Sequence, residues 1–265
     1  MGLVLYHAWK SSASRRVRFF LEEKGLEYEA HEIDLSRQEQ HQPAFLKVNP
    51  MGVVPALIHD GRALHESGTI CEYLEAVFPE PQLCPTDPYD LAQMRNWVRY
   101  VDGLIGNLIR FNWRYTIQDR AAKLSESELQ ALLDKIPSAE RREAWLRVAR
   151  KPYTAEELDQ ARDNLVALLD RMEGMMVDGW LIQGGNLFTD PPHKWGHSNV
   201  QGGFSLADIA VAPFVRRIGE EIAPDELLPE NRPKVADWWA RLQSRPAYVK
   251  ARFDPFLSAD PDPSA

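Results

Sequence analysis

The apolar positions change their spacing along the chain, and the changes mark out elements. Leu3 to Tyr6 is a short apolar run of the kind a buried strand makes. Ser11-Ser12-Ala13-Ser14 follows, and then Val17, Phe20, Leu21 and Lys24 fall at helical spacing, with Gly25 placed to end the helix in a left-handed conformation. Tyr28 to Leu35 alternates like a second strand. A strand–helix–strand crossover of this kind predicts two parallel neighbours in one sheet. Val53 to Ile58 and Arg62 to His65 then flank Asp60-Gly61, residues suited to a tight hairpin turn. Ser67 is placed to cap a further helix, with Ile70, Tyr73, Leu74 and Val77 on one side. The order β-α-β, then β-β-α, predicts a small mixed sheet with helices packed on it.

From Pro79 to Asp90 prolines stand at 79, 81, 85 and 88, which removes backbone donors and disfavours helix. Beyond it the pattern is helical. Leu91 to Arg120 carries Met94, Trp97, Val98, Val101, Leu104, Ile105 and Leu108 at spacings of three and four, and Leu158 to Met176 repeats the pattern. Ser205-Leu206-Ala207-Asp208 is a capping-box variant ahead of the apolar run Ile209 to Val215, and Pro233 to Gln243 predicts a last helix. The expected organisation is therefore α/β followed by all-α: a first domain over 1–80, a linker over 81–90, a helical domain over 91–257 and a small, acidic, Pro-rich disordered tail over 258–265.

Composition narrows the class without changing this plan. A chain of 265 residues buries roughly 70% of its unfolded surface and needs neither disulfides nor metal to fold. Its two cysteines, Cys71 and Cys84, cannot build a disulfide framework. No apolar stretch approaches the roughly 20 residues of a membrane span. Met1 to Tyr6 shows no basic leader followed by an apolar region, so the expected address is cytoplasmic. A net charge of -8 argues against nucleic acid or an anionic membrane as the main partner.

Three features of the first domain suggest chemistry. Ser11, Ser12 and Ser14 sit at the mouth of the first helix, where unpaired N–H groups and the helix dipole favour an anion. One serine suffices for capping, and an incoming thiolate is a suitable anion for the rest. Val54-Pro55 opens the hairpin strand, where proline is tolerated and the backbone of Val54 can face a ligand. Glu66-Ser67 offers an acceptor for an ammonium group beside a hydroxyl and N–H groups for a carboxylate. A γ-glutamyl peptide bearing a thiol satisfies all three. Two weaker signals stand apart. His193 and His197 are spaced for zinc only on a helix, which the surrounding prolines and glycines disfavour, so no metal is expected. Trp9 and Trp113 are candidates to line a pocket for a small hydrophobic aromatic substrate.

Taken in order, these residues resemble a known family. The run Lys10-Ser11-Ser12-Ala13-Ser14-Arg15-Arg16-Val17-Arg18 is similar to the zeta-class glutathione transferase signature, with Ala13 in place of the cysteine that follows two serines there. Gln38 to His41, Phe45 to Leu57, Glu66-Ser67 and Phe204 to Ala210 resemble the theta-like members and the capping box of the superfamily. The resemblance implies a thioredoxin-like domain followed by a helical bundle, glutathione as cosubstrate, and a homodimer. It implies that Ser11 activates the thiol, with Ser12 and Ser14 as competitors. His41 is expected near the glycyl carboxylate, Val54 on the cysteinyl backbone, Pro55 in a cis bond, and Glu66 with Ser67 on the γ-glutamyl end. Asp102 is expected to reach the partner subunit's glutathione. Ile136 to Trp145 extends a loop of the helical domain, and together with Glu39-Gln40-His41 and Ile70 to Leu74 it resembles the bacterial glutathione-dependent β-etherases that cleave lignin-derived aryl ethers. The activity so implied is thiolate attack on an electrophilic carbon with release of a phenolate. General conjugation, dehalogenation, isomerisation and a non-catalytic binding role stand as alternatives, and the missing cysteine at 13 weighs against isomerisation. Gly184 to Gly203 is longer than the family's usual connection and is a candidate flap over the substrate site.

Overall fold

The computed structural model describes residues 2–112, 117–176, 179–181 and 203–252. Strand β1 (Leu3–His7), helix α1 (Ser12–Lys24) and strand β2 (Glu29–Glu32) form the crossover, and β1 and β2 are parallel, with Leu5 opposite Ala30. A short 3-10 turn at Glu39–His41 and a single helical turn, α2 (Pro43–Leu46), lead to the hairpin β3 (Ala56–His59) and β4 (Arg62–His65). The sheet order is β2-β1-β3-β4, and β3 is antiparallel to both of its neighbours. Asp60 and Gly61 both have positive φ, 48° and 79°, as a two-residue turn with native strand twist requires. Gly25 closes α1 at φ 63° and returns its N–H to Leu21 and Glu22.

Helix α3 (Ser67–Val77) packs beside α1. The proline-rich segment after it is tied down by buried charge. Lys24 donates to the carbonyls of Phe78, Pro79 and Pro81 and pairs with Glu75 at 2.5 Å. The other Glu75 oxygen accepts from the N–H groups of Leu83 and Cys84. Backbone groups that the prolines leave without secondary-structure partners thus find side chains instead.

The rest of the described chain is helical: α4 (Pro88–Gly103), α5 (Ile105–Asn112), α6 (Gln118–Ala122), α7 (Glu126–Leu133), α8 (Ala139–Arg150), α9 (Ala155–Met175), α10 (Leu206–Arg217), α11 (Pro233–Gln243) and α12 (Pro246–Lys250). The single helix expected over Leu91 to Arg120 is instead three. The break falls at Gly103-Leu104, where glycine weakens the helix and the Leu104 N–H turns back to Val101 and Asp102. One hydrophobic core runs through both parts of the molecule, joining Phe19, Phe20, Leu57 and Ile70 to Met94, Trp97, Leu165 and Leu168. Helix α10 lies at its centre and is buried along its whole length. Its N-terminus is the expected capping box. The Ser205 hydroxyl accepts from Ala207, and Asp208 accepts from the Ser205 N–H at 3.0 Å. The same carboxylate also accepts from the Leu181 N–H and the Trp238 indole, so it joins three segments.

Helices α6, α7 and α8 gather around a separate small core of Ala121, Leu129, Leu133, Ile136, Val148 and Ala149. This lobe reaches back to the sheet half of the molecule, where Arg120 donates to the Ser36 carbonyl at 2.9 Å. Among the described residues, no helix is long and apolar enough to cross a membrane.

Candidate active site

The mouth of α1 sorts the serine cluster. Ser11 is the N-cap, with an extended backbone, and its hydroxyl oxygen accepts from the Ser14 N–H at 3.2 Å. That bond uses a lone pair and leaves the Ser11 O–H proton uncommitted among the described residues. Ser14 is fully buried and its hydroxyl accepts from the Ala8 N–H at 3.3 Å, so it braces the turn between β1 and α1. Ser12 is nearly buried and makes no side-chain hydrogen bond with the described residues. Of the three, Ser11 alone is only half-buried, and it sits at the positive end of the helix.

Trp9 lies on the approach to this turn between two guanidinium groups, Arg18 at 4.7 Å and Arg252 at 4.9 Å from its ring. Its face is therefore held by cations. Trp113 lies outside the described residues, as do the segment from Gly184 to Gln201, the histidines at 193 and 197, and the tail at 258–265.

The second wall is the chain from His41 to Pro55. Asn49, fully buried, organises it: its amide donates to the Val53 carbonyl at 2.7 Å, and its oxygen accepts from the Met51 N–H. The Val54–Pro55 bond is cis, and Val54 precedes Ala56, the first paired residue of β3, so its backbone stands at the open end of the ladder. His41 is 6% exposed, yet its Nδ1 has no hydrogen-bond partner among the described residues. Burial, reinforced by the nearby Arg141 charge, holds its pKa below the ordinary histidine value, so the ring is neutral at physiological pH.

The third wall is the start of α3. The cap is not Ser67 but Glu66, whose φ of 69° makes the turn without a side-chain capping bond. Ser67 is the first helical residue, and its hydroxyl accepts from Arg16 Nη1 at 3.0 Å. An arginine can only donate, so the Ser67 O–H proton is left to point at an acceptor such as a carboxylate. The same Arg16 nitrogen pairs with Asp102 at 2.6 Å, and its other terminal nitrogen donates to the Ala210 carbonyl at 3.2 Å. Asp102 thus commits its charge to its own chain, while about half of its side chain stays exposed. Arg16 was not legible as a site residue. Its partners lie 51 and 194 residues away in sequence, and a charged position on a helix usually reads as solvated.

The cysteines offer no substitute for the residue missing at 13. Cys71 and Cys84 are buried, and burial pushes both thiols up, so neither supplies a thiolate.

The site therefore combines a helix-mouth hydroxyl, an open strand end and a serine poised for a carboxylate on the loops of one small sheet. Comparison with known proteins gives this arrangement a family. Residues 5–82 match the family model for the N-terminal domain of glutathione S-transferases. Protein LigF of Sphingobium sp. strain SYK-6 is 34% identical over 261 residues, 96% of this chain and 94% of LigF. The crystal structure of the β-etherase LigF superposes with a TM-score of 0.80 at 32% identity, over 95% of this chain and 98% of that one. Maleylacetoacetate isomerase of Pseudomonas aeruginosa is 44% identical, but over 94 residues, 34% of this chain and 44% of the isomerase. The chain belongs to the glutathione S-transferase family, enzymes whose cosubstrate is glutathione. A transferase homologue solved with bound glutathione shares the fold, at a TM-score of 0.61 and 22% identity.

Proposed function

We propose that this enzyme cleaves β-aryl ether bonds of lignin-derived aromatics. The Ser11 hydroxyl donates to the glutathione sulfur and, with the α1 N-terminus, favours the thiolate. A free thiol near pKa 8.5 is only about 3% ionised at pH 7, and lowering that value by two units would make about three quarters of it reactive. The thiolate attacks the carbon bearing the aryl ether oxygen. A C–S bond forms, the C–O bond breaks, and its electron pair leaves on a phenolate, which needs only modest help as the conjugate of a phenol with pKa near 10. Val54 would bind the cysteinyl backbone, Glu66 and Ser67 the γ-glutamyl end, and Trp9 and Trp113 are the candidates for contact with the aromatic rings.

The observation that carries this reading is the full-length likeness to LigF, over 96% of this chain, whereas the likeness to the isomerase covers 34% of it. Isomerisation is also disfavoured by Ala13, where the zeta-class signature has cysteine. Incubation with glutathione and a panel of aryl ethers, haloalkanes and maleyl compounds should yield a glutathione adduct and a free phenol from the ethers, identified by mass. Turnover confined to haloalkanes or maleyl compounds would replace this reading with dehalogenation or isomerisation. Retention of glutathione without turnover of any of them would leave a binding protein.

The working unit is proposed to be a cytoplasmic homodimer. Light scattering of the dilute protein should give about twice the chain's 30.3 kDa. A monomer with full activity would remove any role for Asp102 across a subunit boundary.

A further inference from the structure

The turn that presents Ser11 is held by a buried cation. It runs from Ala8 to Ser11 and is closed by the Ser11 N–H on the Ala8 carbonyl at 3.2 Å. Arg18 of α1 is 1% exposed, and each of its five N–H donors has an acceptor. Nη1 donates to the His7 ring at 3.2 Å and to the Ala8 carbonyl at 3.3 Å, and Nη2 donates to the Trp9 carbonyl at 3.4 Å. Nε donates to the Ala251 carbonyl at 2.9 Å, and Nη2 also reaches the Arg252 carbonyl at 3.5 Å. Three acceptors thus belong to the end of β1 and the serine-bearing turn, and two to the residues that follow α12. Arginine only donates, so His7 accepts through Nδ1 and carries its proton on Nε2. Burial, and after it the Arg18 charge, push the His7 pKa down to about 3, so this ring stays a neutral acceptor. Trp9 is packed into the same clamp, at right angles to His7 with ring centroids 4.7 Å apart and with the Arg18 and Arg252 guanidinium groups 4.7 and 4.9 Å from its ring.

We propose that Arg18 is a positioning residue for the reaction: by tying the Ala8–Ser11 turn to the end of α12, it fixes the Ser11 hydroxyl where the glutathione sulfur arrives, so that Ala251 and Arg252, distant in sequence, help set the reactivity of the thiol. The inference rests on the Ser11 reading above. A reacting group displaced by about 1 Å can lose on the order of 10²-fold in rate, so a turn that carries one has to be held. Within the turn itself the main chain offers only the Ser11–Ala8 bond, with the Ala8 N–H resting on Ser14. The planar fork of arginine serves carbonyls on both sides of it at once, which the converging donors of lysine cannot do. Arg252 contributes through its backbone. Its φ of 49° turns the chain after α12, in a region where a β-branched side chain is strongly disfavoured.

The test is the pH dependence of glutathione conjugation to a small haloarene, with the thiolate absorbance of bound glutathione read in parallel. Arg18→Lys keeps the charge and loses the fork. In this variant the bound thiol should hold its proton about tenfold more tightly than in wild type. Its kcat should then fall about tenfold at pH 6 and return to near wild type by pH 9, with KM for glutathione within about twofold. A second pair of variants leaves the buried cation untouched. Arg252→Val and Arg252→Gly lose the same side chain, but glycine adopts the φ of 49° freely and valine does not. The thiol should hold its proton at least about threefold more tightly in the valine variant than in the glycine variant. A kcat lowered by one factor at every pH in Arg18→Lys, with the thiol titration unchanged, would leave Arg18 with the fold alone and overturn the proposal. Equal thiol titrations in the two Arg252 variants would overturn it too, even if Arg18→Lys did not fold. A wild type whose bound thiol titrates near 8.5, as the free thiol does, would instead overturn the Ser11 reading.

Discussion

Replacing Ser11 by alanine should lower turnover by roughly 10 to 1,000-fold, the scale of removing one well-placed donor from a developing or resting anion. The expectation follows from how the three serines divide their work. Ser14 is buried under the Ala8 N–H, so Ser14→Ala would injure the turn rather than the chemistry. Ser11 caps α1 through a lone pair, and its O–H proton makes no hydrogen bond with the described residues. The substitution also removes the cap, at about 1 kcal/mol, which leaves the fold intact. Two readouts separate the roles. In Ser11→Ala the pH profile of conjugation with a small haloarene should move toward the pKa of free glutathione, near 8.5, and the thiolate absorbance of the bound peptide at pH 7 should fall. Full activity in Ser11→Ala with a dead Ser12→Ala would move the assignment one residue along the helix mouth. Inactivity with unchanged thiolate absorbance would show that Ser11 acts on something other than the sulfur.

The sequence discloses most where the physics is local. The crossover, the Asp60-Gly61 hairpin, the Gly25 stop and the Ser205 box all depend on residues within a few positions of one another, so periodicity and turn chemistry reveal them. Long-range charge is where sequence reading runs out. Arg15, Arg16 and Arg18 entered the sequence reading only as part of a family-like run, yet they are 3%, 2% and 1% exposed. Arg18 donates to the carbonyl of Ala251 and Arg16 to that of Ala210, neither of which any local pattern could suggest. The misplaced cap at Ser67 has the same origin. A serine before an apolar helix is a capping signal, but here Glu66 takes the positive φ and Arg16 occupies the hydroxyl. The continuous helix expected through Gly103 failed for a different reason, since apolar spacing survives a break that the backbone alone decides.

The largest loss of stability should come from Asp208→Ala. This carboxylate is fully buried and accepts from four donors: the Leu181 N–H at 3.1 Å, the Trp238 indole at 2.8 Å, and the Ser205 N–H and hydroxyl at 3.0 and 3.3 Å. Truncation strands several of them without water, at about 1–3 kcal/mol each, so a total of about 4 kcal/mol is expected. For a chain of this size that is a fall in apparent Tm of about 8–16 °C. Asp208→Asn keeps one oxygen for Leu181 and Trp238 but turns an NH₂ toward the Ser205 N–H, and it should cost about half as much. The two variants also differ from wild type in their response to pH. Burial pushes the Asp208 carboxyl from its ordinary 3.8 up to about 6, against the pull of its donors. A carboxyl raised in the folded state contributes stability that is complete below about pH 4 and is lost as pH rises through 6. Neither alanine nor asparagine titrates there, so the gap between wild type and each variant should narrow as pH rises from about 4 to 7. Thermal melts across that range measure both effects. A loss of less than about 2 °C in Asp208→Ala would mean that α10 is held by its buried length alone and that the capping box is dispensable.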